Sequence, residues 1–367
     1  MRRSATLVAL CVAASASTCG CSRSTEACVV ACWDLSTGPP AADFRLPEDA
    51  TQAADLIPLV PDLGADDMAG GPQWHEENSG TALTLSCAWG RNADDVWIGG
   101  EFGTVLHSTT RGKQWSLVDI GAPKDGHGDL FGLGGIGLRD LYIAGAANTV
   151  FHSTDAGTSW TAEHPNLNGT DCCNNLATLG DDVYVVGGGG GVHHSTVNTP
   201  GVWTAIPVGK AFSIEALLPL PNGRIYVGST GGRVWYSANL GQTWIAVQAT
   251  QDSTVWAFWS PDGADAFYAA GCRGFLDYTT DAGQHWQVQK PLDLNSGDCI
   301  WGLWGSAPGD LYALGYPPGF LHSSDGQTWA AQPNPSHKAM AFLRNVWGSA
   351  ANDVYIVGSP GVILHYY

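Results

Sequence analysis

The chain has 367 residues and a formal net charge of −18 at pH 7, which argues against a nucleic-acid partner or a basic membrane-binding patch. It contains 48 glycines and 16 tryptophans, and 44% of its residues are hydrophobic. This composition excludes a wholly disordered chain, and no apolar run reaches the roughly 20 residues of a membrane-spanning helix.

The N-terminus resembles an export signal. Arg2 and Arg3 precede a short apolar stretch, 7–16, in the arrangement of a secretory signal peptide. Cys19 and Cys21 follow it, at the place where bacterial lipoproteins carry their lipid. We therefore expect a signal peptide over residues 1–21, and an exported protein. It is either lipidated at Cys19 or Cys21 and held at the outer membrane or cell surface, or secreted without a lipid.

Residues 22–72 have the composition of a linker. They are rich in Ala, Asp and Pro, including Pro39 and Pro40 in sequence, and they show no sustained helical or strand period. Such a segment cannot bury enough apolar surface to offset its chain entropy. We predict a flexible acidic linker between the signal peptide and a domain that spans residues 73–367.

One unit of four predicted strands repeats throughout residues 73–367. Each copy has two strands rich in β-branched and aromatic residues around a Gly-rich hairpin, as in 353–358 and 362–365. A Trp follows at intervals of 41 to 45 residues, at Trp115, Trp160, Trp203, Trp244, Trp286 and Trp329. Four strands at this period are typical of a β-propeller blade.

The two ends of the chain are predicted to close the ring. The last repeat stops at Tyr367 without its fourth strand, and Trp74 lies 41 residues before Trp115. We expect the strand around Trp74 to complete the last blade. The fold class is therefore an all-β, seven-bladed β-propeller without a free sheet edge.

A turn of the form Ser-x-Asp-x-Gly-x-x-Trp precedes the fourth strand in several repeats and matches the Asp-box of bacterial neuraminidases. Its Asp is expected to accept backbone N–H bonds, its Gly to adopt a positive φ, and its Trp to pack between strands. These are structural roles. The residues are Ser153, Asp155, Gly157 and Trp160 in the second repeat, Asn239, Gly241 and Trp244 in the fourth, Asp281, Gly283 and Trp286 in the fifth, and Asp325, Gly326 and Trp329 in the sixth.

On these repeats, residues 73–367 resemble the BNR/Asp-box seven-bladed propellers. That group includes lipoprotein-type photosystem II assembly factors and many bacterial envelope proteins. The assembly factors bind partner proteins and are not enzymes, so the resemblance implies a binding function.

Five histidines fall in one column of the repeat, which Tyr236 and Tyr278 occupy in the other two copies. Each copy belongs to a different blade, so these side chains cannot meet around one metal ion. We interpret the column as a strand-packing position. The histidines are His107, His152, His194, His322 and His365.

A second column varies between apolar, acidic and basic residues and is predicted to carry the specific function. It lies near the start of each innermost strand, where a propeller exposes side chains around the mouth of its central channel. We expect a ligand-binding site with Trp256, Trp301 and Arg344 at its core, Glu215 at its edge and Phe131 beside them. The alternative is that these side chains merely plug the channel. The column holds Ser86, Phe131, Leu176 or a neighbour, Glu215, Trp256, Trp301 and Arg344.

The cysteines are predicted to form disulfides or buried thiols, because they show no paired C-x-x-C spacing of a zinc site. Cys272 lies in the Gly-rich hairpin of the fifth repeat and Cys299 in the loop that leaves that repeat. We predict a disulfide between these two. No metal site and no cofactor motif are expected.

The alternative function is that of a glycoside hydrolase of sialidase-like or xyloglucanase-like type. The sequence Phe44-Arg45-Leu46-Pro47 resembles a sialidase motif but lies in the predicted linker. Glu215 with Asp252 or Asp298 could form an acid pair. The prediction we favour is a monomeric, non-catalytic cell-envelope protein that binds a protein or a glycan and no nucleic acid. Its contact with a membrane is through a lipid anchor alone.

Overall fold

The computed structural model of the protein describes residues 72–165, 173–209, 213–248, 253–289, 298–316, 319–336 and 342–367. The predicted signal peptide and lipidation sites Cys19 and Cys21 lie outside these residues. So does the predicted linker with its Phe44-Arg45-Leu46-Pro47 motif, apart from Pro72.

The described residues form seven four-stranded antiparallel sheets. The strands are, in chain order, β1 (Trp74–Glu76), β2 (Leu85–Asn92), β3 (Asp95–Gly100), β4 (Val105–Ser108), β5 (Ser116–Leu117), β6 (Leu130–Ile136), β7 (Asp140–Gly145), β8 (Thr149–Ser153), β9 (Thr161–Glu163), β10 (Cys173–Leu179), β11 (Asp182–Gly187), β12 (Gly191–Thr196), β13 (Thr204–Pro207) and β14 (Ile214–Pro219). They continue with β15 (Ile225–Ser229), β16 (Arg233–Ser237), β17 (Ile245–Gln248), β18 (Val255–Trp259), β19 (Phe267–Gly271), β20 (Leu276–Thr279), β21 (Gln287–Val288), β22 (Cys299–Ala307), β23 (Asp310–Tyr316), β24 (Phe320–Ser323), β25 (Ala330–Gln332), β26 (Phe342–Ala350), β27 (Asp353–Ser359) and β28 (Val362–Tyr366).

The sheets are the blades of a propeller. Blades 1 to 6 each take four consecutive strands from β2 to β25, and blade 7 consists of β26, β27, β28 and β1. Short 3-10 turns occur at Glu101–Gly103 and Gly188–Gly190. Within the described part of the chain, no helix has the length and apolar character needed to cross a membrane.

The ring closes between the two ends of the chain, as predicted. Strand β1 pairs antiparallel with β28, so that Trp74 lies opposite Tyr366. The backbone N–H of Gln73 donates to the carbonyl of Tyr367 over 2.9 Å. The Trp74 ring also packs edge-on against Phe320 of blade 6, at 5.2 Å between centroids. The seven-bladed architecture is therefore confirmed.

The hydrophobic core lies between neighbouring blades. The second strand of each blade is almost entirely buried because it is covered on both faces, as in β3 and β7. Val96 and Ile98 of blade 1, for example, form one cluster with Tyr355 and Val357 of blade 7. Burying each such aliphatic side chain contributes about 1.5–3 kcal/mol, so each blade stabilises the next.

The propeller has two distinct ends. The first strands of neighbouring blades contact one another and form the inner wall. The start of each first strand lies at the same end as the hairpin between the second and third strands, because all strands of a blade are antiparallel. We call this the mouth end. The turns before the second and fourth strands lie at the opposite end, which we call the Asp-box end.

Candidate binding site

A β-bulge occurs near the start of the innermost strand in all seven blades. In blade 5, for example, Val255 pairs with Gly271 and Ala257 pairs with Ala270, so Trp256 has no partner of its own. A bulged residue leaves the ladder and its side chain is re-aimed. The seven bulged residues are Ser86, Phe131, Asn174, Glu215, Trp256, Trp301 and Arg344.

These bulged positions coincide with the variable column identified in the sequence. In blade 3, the residue is Asn174 and not Leu176, because Leu176 pairs with Val185 and is buried in the core. Sequence patterns could not place Asn174, since the extra residue of a bulge shifts the alternation of strand side chains by one. Phe131 occupies the equivalent, half-buried position in blade 2.

Trp301 and Arg344, on blades 6 and 7, form one aromatic and cationic surface. The Arg344 guanidinium carbon lies 4.7 Å from the centroid of the Trp301 ring, which is within the range of a cation–π interaction. The Arg344 side chain is exposed to solvent. The protein atoms around its guanidinium partly desolvate the charge and lower its pKa, and the charge of Glu101 opposes that shift. Among the described residues, no carboxylate forms an ion pair with this guanidinium. A cation is thus available to a ligand.

Trp256, on blade 5, contacts a disulfide. Cys272 and Cys299 are joined, the pair predicted from the sequence. The indole Nε1 of Trp256 lies 3.2 Å from the Cys272 sulfur. The structure thus brings Trp256 and Trp301 onto neighbouring blades, with the disulfide between the starts of their strands.

Glu215, on blade 4, is fixed by Asn174 of blade 3. The Asn174 side-chain amide donates to Glu215 Oε2 over 2.9 Å. Burial raises the pKa of the Glu215 carboxyl, and a hydrogen bond with Ser213 opposes that shift. Blades 4 and 7 lie nearly opposite each other in a ring of seven, so Glu215 and Arg344 give the mouth an acidic side and a basic side.

The Asp-box turns lie at the opposite end, and their contacts are internal. Ser153 Oγ accepts from the backbone N–H of Gly157 over 2.8 Å, and Asp155 Oδ1 accepts from that of Ser159 over 2.8 Å. Hydrogen bonds from Ser159 lower the pKa of Asp155 to about 2. Gly157 has a φ of 87°, and Trp160 Nε1 donates to its carbonyl. The motif closes its own turn.

The other Asp-box copies share two features of this turn, the backbone N–H bond to the Asp or Asn side chain and the positive φ of the glycine. Asn239 Oδ1, Asp281 Oδ1 and Asp325 Oδ1 each accept a backbone N–H within their turn, and each turn has its glycine at positive φ, Gly241, Gly283 and Gly326. The pKa of Asp281 is lowered to about 2 by its hydrogen bonds from His285. The Trp rings then pack on blade cores, as Trp244, Trp286 and Trp329 do.

The histidine column also has internal partners. In each of five blades, His Nε2 lies 2.7 to 3.0 Å from an Asp at the start of the second strand. The imidazole also packs against an aromatic ring of that strand, as His365 does on Tyr355 at 3.9 Å. The pairs are His107 with Asp95, His152 with Asp140, His194 with Asp182, His322 with Asp310, and His365 with Asp353. The column is a packing position, as interpreted.

A glycoside hydrolase would need Glu215 paired with Asp252 or Asp298, and the structure describes only Glu215 and Asp298 of these three. Asp252 lies outside the described residues, and Asp298 is buried. Within the described ranges, no cluster of three His, Cys, Asp or Glu side chains could hold a metal ion.

Known structures share the propeller fold. The structure described as "YCF48 bound to D1 peptide" has a TM-score of 0.66 and 20% identity, covering 81% of this chain and 95% of that one. YCF48 from Cyanidioschyzon merolae has a TM-score of 0.65 and 17% identity, covering 80% and 98%. The WD40 β-propeller domain of Doa1 has a TM-score of 0.65 and 13% identity, covering 81% and 97%.

The sequence itself also matches a family. No curated protein matches the chain. The model of the family described as "Photosynthesis system II assembly factor YCF48" matches residues 66–301, which is more than half of the chain and includes blades 1 to 5. The chain therefore belongs to the YCF48 photosystem II assembly factor family.

Proposed function

We propose that this propeller is a non-catalytic binding protein that holds a segment of a partner protein at its mouth end. The observation that carries the proposal is the set of seven aligned bulges, in which one repeated backbone feature presents polar, acidic, aromatic and basic side chains in turn. A structural position would repeat its residue type from blade to blade, as the Asp-box does. A YCF48 protein bound to a D1 peptide supports a protein as the partner.

The chemistry of the mouth indicates which segment it would take. Trp256 and Trp301 offer indole surface for an apolar or aromatic side chain. Arg344, stacked on Trp301, is placed to bind a carboxylate, and the planar guanidinium can do so with two hydrogen bonds. Glu215 would accept from a basic or amide group on the other side. A segment with an apolar residue beside an acidic one satisfies these positions.

A display library of short random peptides, selected on the immobilised protein, tests the proposal. Peptides that bind the protein should lose affinity roughly 30-fold or more for the Trp256→Ala/Trp301→Ala variant, because buried Trp anchors typically contribute 2 kcal/mol or more. Leu117→Ala/Val288→Ala is the matched control. These side chains are 73% and 49% exposed on outermost strands, and their removal should leave capture unchanged.

Three results would contradict the proposal. Equal capture by the Trp256→Ala/Trp301→Ala variant would remove this site. Selection of no peptide, together with glycan-array binding that needs the same two residues, would make a glycan the ligand. Turnover of aryl-glycosides that Glu215→Gln abolishes would instead establish the hydrolase, since burial raises the pKa of that carboxyl as in a general acid.

We further propose that the protein is an exported, lipid-anchored monomer. The N-terminal pattern around Arg2, Arg3 and Cys19 or Cys21 supports export. The Cys272–Cys299 disulfide also fits an oxidising compartment. Metabolic labelling with a radioactive fatty acid should mark the wild type and fail in either Cys19→Ala or Cys21→Ala. Light scattering should give the mass of one chain, because one chain closes the ring.

A further inference from the structure

Among the described residues, one backbone contact recurs at the mouth end of three junctions, those between blades 1 and 2, 5 and 6, and 7 and 1. The hairpin between the second and third strands of a blade meets the start of the next blade's innermost strand. Gly103 of blade 1 donates its N–H to the carbonyl of Gly128 over 2.8 Å. Gly274 of blade 5 donates in the equivalent way to Asp298 over 3.1 Å. The junctions between blades 1 and 2 and between blades 5 and 6 therefore share their backbone geometry.

One pair of side-chain positions beside this contact differs between junctions. The first position follows the glycine that pairs with the residue before the bulge. The second lies two residues before the bulge of the next blade. Between blades 7 and 1, the pair is Ser359 and Thr84, whose hydroxyl oxygens are 3.2 Å apart. Between blades 5 and 6, it is Cys272 and Cys299, joined by a disulfide. A covalent bond thus replaces a hydrogen bond at this junction.

The disulfide fixes the starts of the two strands that carry the aromatic pair. On one side, Cys272 accepts from the Ser253 hydroxyl over 2.8 Å and from Trp256 Nε1 at its sulfur over 3.2 Å. On the other side, Cys299 lies two residues before Trp301. Both cysteines are partly exposed, so a small reductant can reach the bond.

We propose that the Cys272–Cys299 disulfide is a redox-sensitive positioning element for the binding surface formed by Trp256 and Trp301. The inference rests on the proposed function of the mouth. A dithiol reductant breaks the S–S bond by supplying two electrons and two protons. Two thiols form, and the dithiol closes to its own disulfide. The Trp256 indole then loses its contact with the disulfide, and the two strand starts lose their covalent link but keep their hydrogen bonds and the apolar packing between blades 5 and 6.

Reduction should weaken partner binding without unfolding the propeller. In the reduced protein, the two indole rings must become ordered when the partner binds, and this lowers the affinity. In the oxidised protein, they are ordered before binding. We expect peptides selected on the oxidised protein to bind about tenfold more weakly to the reduced protein. The ring itself is closed by β1 and β28, so far-UV circular dichroism should not change.

A spectroscopic measurement tests the contact without any ligand. A disulfide quenches the fluorescence of an indole that touches it, so reduction of the wild type should raise tryptophan emission. Trp256→Phe should remove most of this rise, whereas Trp115→Phe, at the Asp-box end, should retain it. An unchanged emission on reduction would overturn the inference, whatever the partner.

Binding measurements then separate this inference from the function on which it depends. The Cys272→Ala/Cys299→Ala variant should reproduce the weaker binding of the reduced protein and lose its response to reductant. Ser359→Ala, at the equivalent junction, should bind as the wild type does. Equal affinity of oxidised and reduced protein would defeat the positioning role and leave the mouth as the binding site. Failure to select any peptide on the oxidised protein would defeat the proposed function itself.

Discussion

The two ends of the propeller use the same repeat in opposite ways. At the Asp-box end, the residue types recur and hydrogen-bond to one another, as Asp155 does within its turn. Where His is replaced by Tyr236 or Tyr278, the Asp of the pair is also absent, and Arg224 or Ala266 takes its place. At the mouth end, the bulge recurs while its side chain changes. Side chains that hydrogen-bond to one another within a blade therefore keep the same residue type from repeat to repeat. A bulged side chain lies outside the strand ladder, so its residue type can vary to suit a ligand.

The largest expected effect is at a buried Asp–His pair of the Asp-box end. His365 and Asp353 are each 1% exposed, so His365→Ala leaves a carboxylate buried without its main partner. We expect the free energy of unfolding to fall by about 3 kcal/mol. The matched variant His194→Ala affects a pair with 27% and 39% exposure, and should lose about 1 kcal/mol or less. Urea unfolding followed by tryptophan fluorescence measures both, and equal losses would contradict the distinction.

A glycine of the Asp-box gives the next largest effect. A Cβ on Gly157 would lie 2.3 Å from Cη2 of Trp97, and the backbone φ is +87°. We expect Gly157→Ala to lose about 2–3 kcal/mol through overpacking and left-handed strain. Gly223 has a φ of +81° but nothing within 4 Å of its Cβ position, so Gly223→Ala should lose only about 1 kcal/mol from strain. A smaller loss at Gly157 than at Gly223 in thermal unfolding would show that the turn adapts.

His152 predicts a smaller, pH-dependent effect, because it contacts two carboxylates. Burial disfavours its protonation, but Glu163 and Asp140 outweigh burial and raise the pKa of the imidazole above 6.5. A raised folded-state pKa gives stability that is complete below the unfolded value and is lost as the pH rises through the folded value. Unfolding midpoints in urea should therefore decline above pH 6.5.

The variant His152→Gln tests this assignment, because it should flatten the decline of the unfolding midpoint with pH. His194→Gln should retain it, since His194 contacts a single carboxylate, Asp182. A decline of equal size in the His152→Gln variant would assign the pH dependence to other groups.

The smallest effect on stability is expected at the mouth. Arg344 is exposed and its ring contact is a single cation–π interaction with Trp301, worth about 0.5–1 kcal/mol. Arg344→Ala should therefore change the free energy of unfolding by no more than that, while it lowers peptide capture. Arg344→Lys keeps the charge without the planar guanidinium and should recover only part of the capture. A loss of stability as large as that at His365 would make Arg344 a structural residue.

The sequence was sufficient for the architecture because a propeller repeats its information. The spacing of the Trp residues indicated the number of blades. Trp74, which precedes the Trp of the first complete repeat by one period, indicated that β1 would pair with β28. The cysteine pair was predictable too, since Cys272 and Cys299 flank one blade junction. The blade count, the ring closure and the cysteine pair could all be predicted because the repeats can be aligned with one another in the sequence itself.

Tertiary structure alone decided how the mouth is built. The bulge that selects Asn174 and not Leu176 depends on pairing with the neighbouring strand, which no local pattern encodes. The stacking of Arg344 on Trp301 and the bond from Asn174 to Glu215 join neighbouring blades, so they exist only once those blades have packed together. The repeat within the chain determines the blades, whereas contacts between blades determine the site, because the site residues are distant in sequence and adjacent only at the channel.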